Sequence, residues 1–364
     1  MTLRIEYLIA GTGPAAMMHC LHLQESGAEV LMAGTGMYGQ LKPVMYDEIG
    51  QPVNLLPIFP VIESDLWNKM DPHENSVNQL TLKKINHREF SLPTNGSQKN
   101  YCRYLIENER NFDIPYILSY KQFGDLIFDH QLTELQKKLT RNYNSGQPKF
   151  FKAGFVNGLS PYYRYLKSHE PYPVIQEEIK SIDISNKIAF TKGGAIRYEH
   201  LIFTEPLPKL YKYTQIRKTF DLIHSGAKFL IFYSGKNLPE NHLWYCCDIR
   251  SNIYRTFVPQ KNLIVVQLSK NSWNSNPEKV GTELQKLLSL EDALEHLDTK
   301  TFHGCYPLDV TDYDSKNKLF LDLKRHNFHL SGRFSEWRYI DLHEVDFNVT
   351  SKNNAHLKQI VTFD

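Results

Sequence analysis

A strand, a glycine-rich turn, a helix and a second strand follow one another in IEYLIAGTGPAAMMHCLHLQESGAEVLMA, near the amino end of the chain. Ile5–Ala10 is a run of strand length that is apolar but for Glu6, Pro14–Glu25 reads as a helix, and Ala28–Ala33 is again apolar but for Glu29. Two strands joined by one helix form a parallel βαβ unit with a right-handed crossover, and such strands need cover on both faces. The chain is thereby predicted to be an α/β protein.

The turn Gly11–Ala16 carries the chemistry. Gly11 lets the chain leave the strand sharply, and Gly13 lets backbone approach a diphosphate with no Cβ in the way. Ala15 follows, and Ala16 stands for a third glycine and still permits close helix–strand packing. Pro14 suits the first helical position, where a missing N–H costs nothing. The helix start then offers unpaired N–H groups and a positive dipole end to an anion. A dinucleotide is the expected ligand. An Asp or Glu that would hold the adenosine ribose is expected at the end of the second strand, but Gly34 stands there, after Ala33. A ribose hydrogen bond would have to come from water, backbone or Thr35.

With 364 residues the chain is predicted to form two interlocked domains. It has 42 basic and 40 acidic residues, a balance that excludes the strongly basic footprint of a nucleic-acid binder. The five cysteines, at 20, 102, 246, 247 and 305, form no CxxC pair or Cys/His ladder, so neither a disulfide framework nor a metal site is expected. The amino end shows no cationic segment before a cleavable apolar stretch, and no run is long enough to span a bilayer. A reducing, cytoplasmic setting with no membrane or nucleic-acid partner is the expectation.

Beyond the βαβ unit, Gly34–Asn100 reads as loop-rich and Asn111–Tyr143 as mostly helical. Gly154–His169 reads as a helix, Glu178–Ile184 and Lys187–Thr191 as a hairpin about Ser185-Asn186, and Leu201–Thr204 as a short buried strand. Lys228–Tyr233, Trp244–Asp248, Ile253–Pro259 and Asn262–Leu268 are spaced as an antiparallel sheet. Pro277–Leu297 reads as helix, Leu319–Leu323 and Phe328–Ser331 as strands, and Ala355–Phe363 as a closing helix.

Several segments, in order along the chain, resemble the flavin amine oxidase superfamily, especially its branch similar to UDP-galactopyranose mutase and protoporphyrinogen oxidase. Gly39-Gln40 falls where that family has a Gly-Gly pair beside its flavin. YDEIGQPVNLLPIFPV resembles its next stretch, where Asn54, Pro57 and Phe59 fit but Leu56 and Ile58 replace Gly and His. FKAGFVNGLSPYYRYL looks like its glycine turn and helix, and IKSIDISNKIAF like the hairpin whose backbone, at about Ile179, meets adenine. IRYEHLIFTEPLPKL, with Thr204, resembles the strand and turn leaving the cofactor domain, and ENHLWYCCDIRSNIYRTFVPQ the substrate-domain sheet. LSGRFSEWRYIDLHEVDF is similar to the segment closing over the isoalloxazine, with Gly332-Arg333 as its Gly-Arg pair and Tyr339-Ile340-Asp341 starting a helix at the flavin pyrimidine end.

The resemblance implies a Rossmann-type FAD-binding domain with a parallel sheet, from residues 1–60, 150–210 and 325–364. A substrate domain with an antiparallel sheet and helices would take 61–149 and 211–324. It also implies FAD as cofactor, a small-molecule substrate and a flavin-dependent oxidoreductase that oxidises a C–N or C–C bond, with hydride passing to flavin N5 and then to oxygen or another acceptor. Two other functions stay open: a mutase-like isomerisation of a nucleotide sugar by reduced flavin, and a non-catalytic nucleotide-binding scaffold. Arg333 would lie near the pyrophosphate or the flavin N1–O2 edge, or else in an interdomain salt bridge. Trp337 and Tyr339 would stack near the ring or fill the core. Tyr245, Tyr254 and Arg255 would line a substrate pocket or simply pack in the sheet. Cys246-Cys247 point to opposite faces of a strand, which disfavours a disulfide between them, and His343 and Glu344 are acid–base candidates or helix surface.

Overall fold

The computed structural model describes residues 2–56, 81–85, 118, 121–124, 157–217, 220–246, 248, 251–308, 313–338, 340 and 344. Strand β1 (Thr2–Ala10), helix α1 (Pro14–Glu25) and β2 (Val30–Ala33) form the expected unit. A hairpin of β3 (Val44–Tyr46) and β4 (Gln51–Val53) then stands in the segment read as loop. After β5 (Thr81–Ile85) come α2 (Pro161–Ser168), β6 (Val174–Ile175), β7 (Ser181–Asp183), β8 (Ile188–Phe190), β9 (Ala195–Phe203) and α3 (Leu207–Thr214). The rest runs β10 (His224–Ser234), β11 (His242–Cys246), β12 (Ile253–Gln260), β13 (Leu263–Leu268), α4 (Pro277–Leu288), β14 (Leu294–Pro307), α5 (Tyr313–Lys324) and β15 (Phe328–Leu330).

Among the described residues one sheet has the order β6-β2-β1-β9-β8-β7, with β15 paired to β9 as well. β9 divides one edge between two partners: its first residues pair antiparallel with β8, its last three parallel with β15. Side chains of β1 alternate, so Tyr7 and Ile9 pack beneath α1 and α2 while Leu8 and Ala10 join a cluster with α3 and α5. Burial on both faces of this largely parallel sheet is why the ends of its central strands, Tyr7–Ala10 and Leu201–Phe203, are apolar at every position.

The second sheet has the order β14-β10-β13-β12-β11-β5 and is antiparallel except between β11 and β5. It too is covered twice. Leu230, Phe232, Ile264 and Val266 meet Val280 and Leu284 of α4, while Phe229, Ile231, Leu263 and Val265 join Tyr46, Val53 and Phe123 on the other face. Among the described residues, no helix is long and apolar enough to cross a membrane.

Three expectations are corrected. The helix expected over Pro277–Leu297 stops at Leu288, where Ser289 turns left-handed with φ 54°, and residues from Leu294 onward pair with β10 along most of its length. Good helix formers there are overridden by the sheet ladder. Leu319–Leu323, expected as a strand, lies inside α5: Leu319 and Leu323 are buried while Leu321 is 59% exposed, a spacing of helical period. The helix expected over Gly154–His169 begins only at Pro161 within the described part of that segment. Ala355–Phe363 and most of Asn111–Tyr143 lie outside the described residues.

Candidate dinucleotide site

Five parallel strands end in one row. Ala10 pairs with Ala33 and with Phe203, Ala33 with Ile175, and Phe203 with Leu330. The ladder carries on for one more residue. Gly11 N–H donates to Ala33 C=O (2.8 Å), Gly34 to Ile175 (3.2 Å), Thr204 to Ala10 (2.9 Å) and Ser331 to Phe203 (3.0 Å). The carboxyl edge of such a sheet, where neighbouring crossovers diverge, is where α/β folds bind ligands.

Gly11 is required where it stands. Its φ is +126°, and a Cβ there would lie 2.2 Å from Thr204 Oγ1, which itself donates to Ala10 C=O at 2.9 Å. Gly13 is the N-cap of α1, and nothing lies within 4 Å of where its Cβ would be. The first turn of α1 contains no acid, and its first intrahelical acceptor, Gly13 C=O, serves Met17 N–H at 3.0 Å. The N–H groups of Ala15 and Ala16 meet no acceptor among the described residues. Unpaired donors, a dipole end and open space before a glycine make an anion site.

Two further segments close on this helix end. Gly39, which with Gln40 and Leu41 forms a single 3-10 turn, has its Cβ position 3.5 Å from Gly13 Cα and 3.6 Å from Pro14 Cδ. Asn54 holds that turn: its side-chain amide donates to Leu41 C=O and accepts from Ser160 N–H at 2.7 Å, joining the turn to the start of α2. From the other side Gly332, with φ +98°, brings its Cβ position to 3.1 Å from Ala15 Cβ. The buried Glu336 carboxylate accepts from Gly332 N–H at 3.1 Å and fixes this approach. Ser331, wholly buried at the end of β15, has a hydroxyl with no partner among the described residues. An orphaned buried hydroxyl costs free energy unless a ligand or water satisfies it.

Of the other predicted cofactor residues, Arg333 is half-buried and its Nε donates to Ile340 C=O at 2.6 Å, which brings these two together. Thr35 lies exposed beside Gly34, and its carbonyl accepts from Thr12 Oγ1 at 3.2 Å. Ile179 is buried in the cluster beneath α3. Pro57 and Tyr339 lie outside the described residues, as do Asp341 and His343.

Of the predicted substrate residues, Tyr245, Tyr254 and Arg255 fall on the face of the second sheet opposite α4, whereas Trp337 packs in the cluster of the first sheet. Arg255 Nε donates to Gln267 Oε1 at 2.7 Å, and its terminal nitrogens reach the hydroxyls of Tyr245 (3.5 Å) and Tyr306 (3.4 Å). Gln267 donates to Tyr306 Oη at 3.2 Å, Arg255 lies 5.6 Å from the Tyr254 ring centre, and the Tyr254 hydroxyl donates to Gln122 at 3.0 Å. Cys305, buried on this face, has its thiol pushed up by burial, against the pull of the Arg333 and Arg255 guanidiniums. Trp337 is buried, with its indole N–H on Ile223 C=O at 3.1 Å. Cys246 packs into the cluster on the α4 side, while Cys247 lies outside the described residues.

Sequence reading missed Thr12, Ser331, Glu336, Gln267 and Tyr306. A hydroxyl in the glycine turn and a buried Glu four residues after a glycine are visible signals; the convergence of Gln267 and Tyr306 on Arg255 is not, because it depends on strand register.

No family model matches the sequence, and no curated protein matches it. Solved structures do share its fold. Reduced UDP-galactopyranose mutase is 17% identical, with 98% of this chain and 94% of that one covered and a TM-score of 0.70. The fatty acid isomerase of P. acnes that produces CLA is 12% identical, covering 96% and 98% with a TM-score of 0.64. Putrescine oxidase bound to putrescine is 10% identical, covering 98% and 100% with a TM-score of 0.58. The chain shares the fold of these solved structures, the fold that its motifs implied.

Proposed function

We propose that this chain binds FAD along the row of strand ends and works as a flavin-dependent enzyme on a small, negatively charged metabolite. One observation carries the reading: the donor-rich start of α1 opens onto Gly13 and is approached by Gly39 on one side and Gly332 on the other. That arrangement suits a diphosphate, and the unsatisfied hydroxyl of Ser331 suits a ligand rich in polar groups. When bound, the flavin supplies a hydride acceptor at N5. The chain's own part is to seat the diphosphate at Ala15 and Ala16, to hold Arg333 through Ile340, and to present Arg255 with its tyrosines to the substrate. The leading reaction is oxidation of a C–N or C–C bond, in which a C–H hydrogen leaves as hydride, a proton leaves the neighbouring atom, and the two electrons pass on to oxygen or another acceptor.

A second reading, isomerisation of a nucleotide sugar by reduced flavin, is favoured by the Arg255–Tyr306–Gln267–Tyr245 cluster. Phenols around a guanidinium suit a phosphate or carboxylate better than an amine. Titrating the purified chain with FAD tests the shared premise: flavin fluorescence is quenched on binding, and an unchanged signal at saturating nucleotide removes it. Bleaching of the yellow colour by substrate supports oxidation. Isomerisation that proceeds only after reduction, with no net change in colour over a turnover, supports the second reading.

A further inference from the structure

We infer that Thr12 occupies the room in which related sites place a ribose-binding carboxylate, and that this chain holds its dinucleotide without reading the adenosine ribose hydroxyls. The inference rests on the flavin reading above. In βαβ dinucleotide sites an Asp or Glu ends the second strand and accepts from the ribose. At that place stands Gly34, and the structure shows more than a missing side chain. A Cβ on Gly34 would lie 3.3 Å from Gly11 Cα and 3.3 Å from Thr12 Cγ2, tighter than ordinary contact on both sides. Gly34 has little freedom to withdraw, since its N–H is tied to Ile175 C=O at 3.2 Å. Thr12 has little either: it is 3% exposed, its hydroxyl donates to Thr35 C=O at 3.2 Å, and its carbonyl accepts from Tyr38 N–H at 3.0 Å.

Thr12 thus fastens the segment after β2 down onto the glycine turn. Its methyl fills the first atoms' worth of space that a carboxylate at 34 would need. Carboxylates on nearby segments are already engaged. Glu177, two residues beyond β6, accepts from Gly193 N–H at 2.6 Å, and that bond together with Thr191 holds its carboxyl below the usual range. Glu170 is shared between Lys167 and the Tyr38 hydroxyl. Among the described residues around Gly34, the ribose is left to water, which carries no charge-assisted bond.

The test compares FAD with its analogue lacking the 2′-hydroxyl on the adenosine ribose, each titrated into the full chain by fluorescence quenching. A site with a ribose carboxylate loses about 10-fold or more in affinity for the deoxy analogue, the worth of one charge-assisted hydrogen bond. For this chain the two affinities are expected to agree within about 2-fold, since no such bond is forfeited. A deoxy analogue weaker by about 10-fold or more overturns the inference. Gly34→Glu alone is expected to weaken both ligands equally, and Thr12→Ala combined with Gly34→Glu to tighten FAD selectively over the analogue. If Gly34→Glu alone tightens FAD and discriminates, the room was never filled and the inference falls. Binding of neither ligand by the unaltered chain removes the flavin reading itself and this inference with it, a result distinct from unequal binding.

Discussion

Replacing Gly11 with alanine tests the geometry of the turn most directly. Two costs add. The residue sits at φ +126°, outside the basins of an L side chain, which costs about 1–3 kcal/mol. The new Cβ would also lie 2.2 Å from Thr204 Oγ1. Thr204 can escape by rotating about χ1, but it then gives up its 2.9 Å bond to Ala10 C=O, so overpacking costs about 1–3 kcal/mol with the lower figure for rotation. The expected loss is about 2–6 kcal/mol, a large share of an ordinary domain stability of about 5–15 kcal/mol.

Thr204→Ala separates the two terms. With Oγ1 gone, the contacts left to the new methyl are Thr204 Cβ at 3.5 Å and Glu205 Cγ at 3.6 Å, both ordinary packing distances. Gly11→Ala made in the Thr204→Ala background should therefore cost only the backbone share, about 1–3 kcal/mol. Urea unfolding of the four chains of the cycle, followed by tryptophan fluorescence and extrapolated to water, gives the coupling. A coupling near zero, or a Gly11→Ala cost under about 0.5 kcal/mol, refutes the close approach of β9 to the turn.

Three more expectations rest on single observations. Asn54→Ala removes two buried hydrogen bonds, to the Leu41 carbonyl and from Ser160 N–H, so unfolding in urea should register a loss of about 2–4 kcal/mol, and FAD affinity should fall as the Gly39 turn loosens. The Glu170 carboxyl is held below its ordinary value by Lys167 first and then by Tyr38; its stabilising effect is full above the usual carboxylate range and fades as pH falls through the lowered value, so Glu170→Gln should lower the melting temperature slightly at neutral and alkaline pH, leave it unchanged in acid, and thereby flatten the acid limb of the profile. Arg255→Lys keeps the charge but not the fork that reaches Gln267, Tyr245 and Tyr306, and it should weaken an anionic substrate by about 10-fold or more, seen in KM or in competition by a substrate analogue.

The amino-terminal βαβ unit was legible because its information is local. Gly11, Gly13 and Pro14 act on their own backbone, the apolar runs on either side are of strand and helix length, and one short crossover leaves a single handedness. The same holds for the hairpin about Ser185-Asn186 and for β12 and β13, whose turns and β-branched content speak for themselves. Where local and distant preferences disagreed, the sequence misled. Residues 294–297 are helix-compatible but are claimed by β10, and Leu319–Leu323 alternates like a strand only until its burial is seen to follow a helix.

What the sequence by itself determined, then, is the character of the turn: glycines with no Cβ to close it, and no acid at the end of β2. Only the tertiary structure decided how that turn is used. Strands from residues 10, 33, 175, 203 and 330 end in one row because of long-range register, and that row is what brings Gly332 to Ala15 and sets Thr12 against Gly34. Likewise Arg255, Gln267 and Tyr306 meet because three strands of the second sheet put them on one face. Turn chemistry is written within a few neighbouring residues, whereas register is settled by the burial of whole faces, a property that belongs to no short segment.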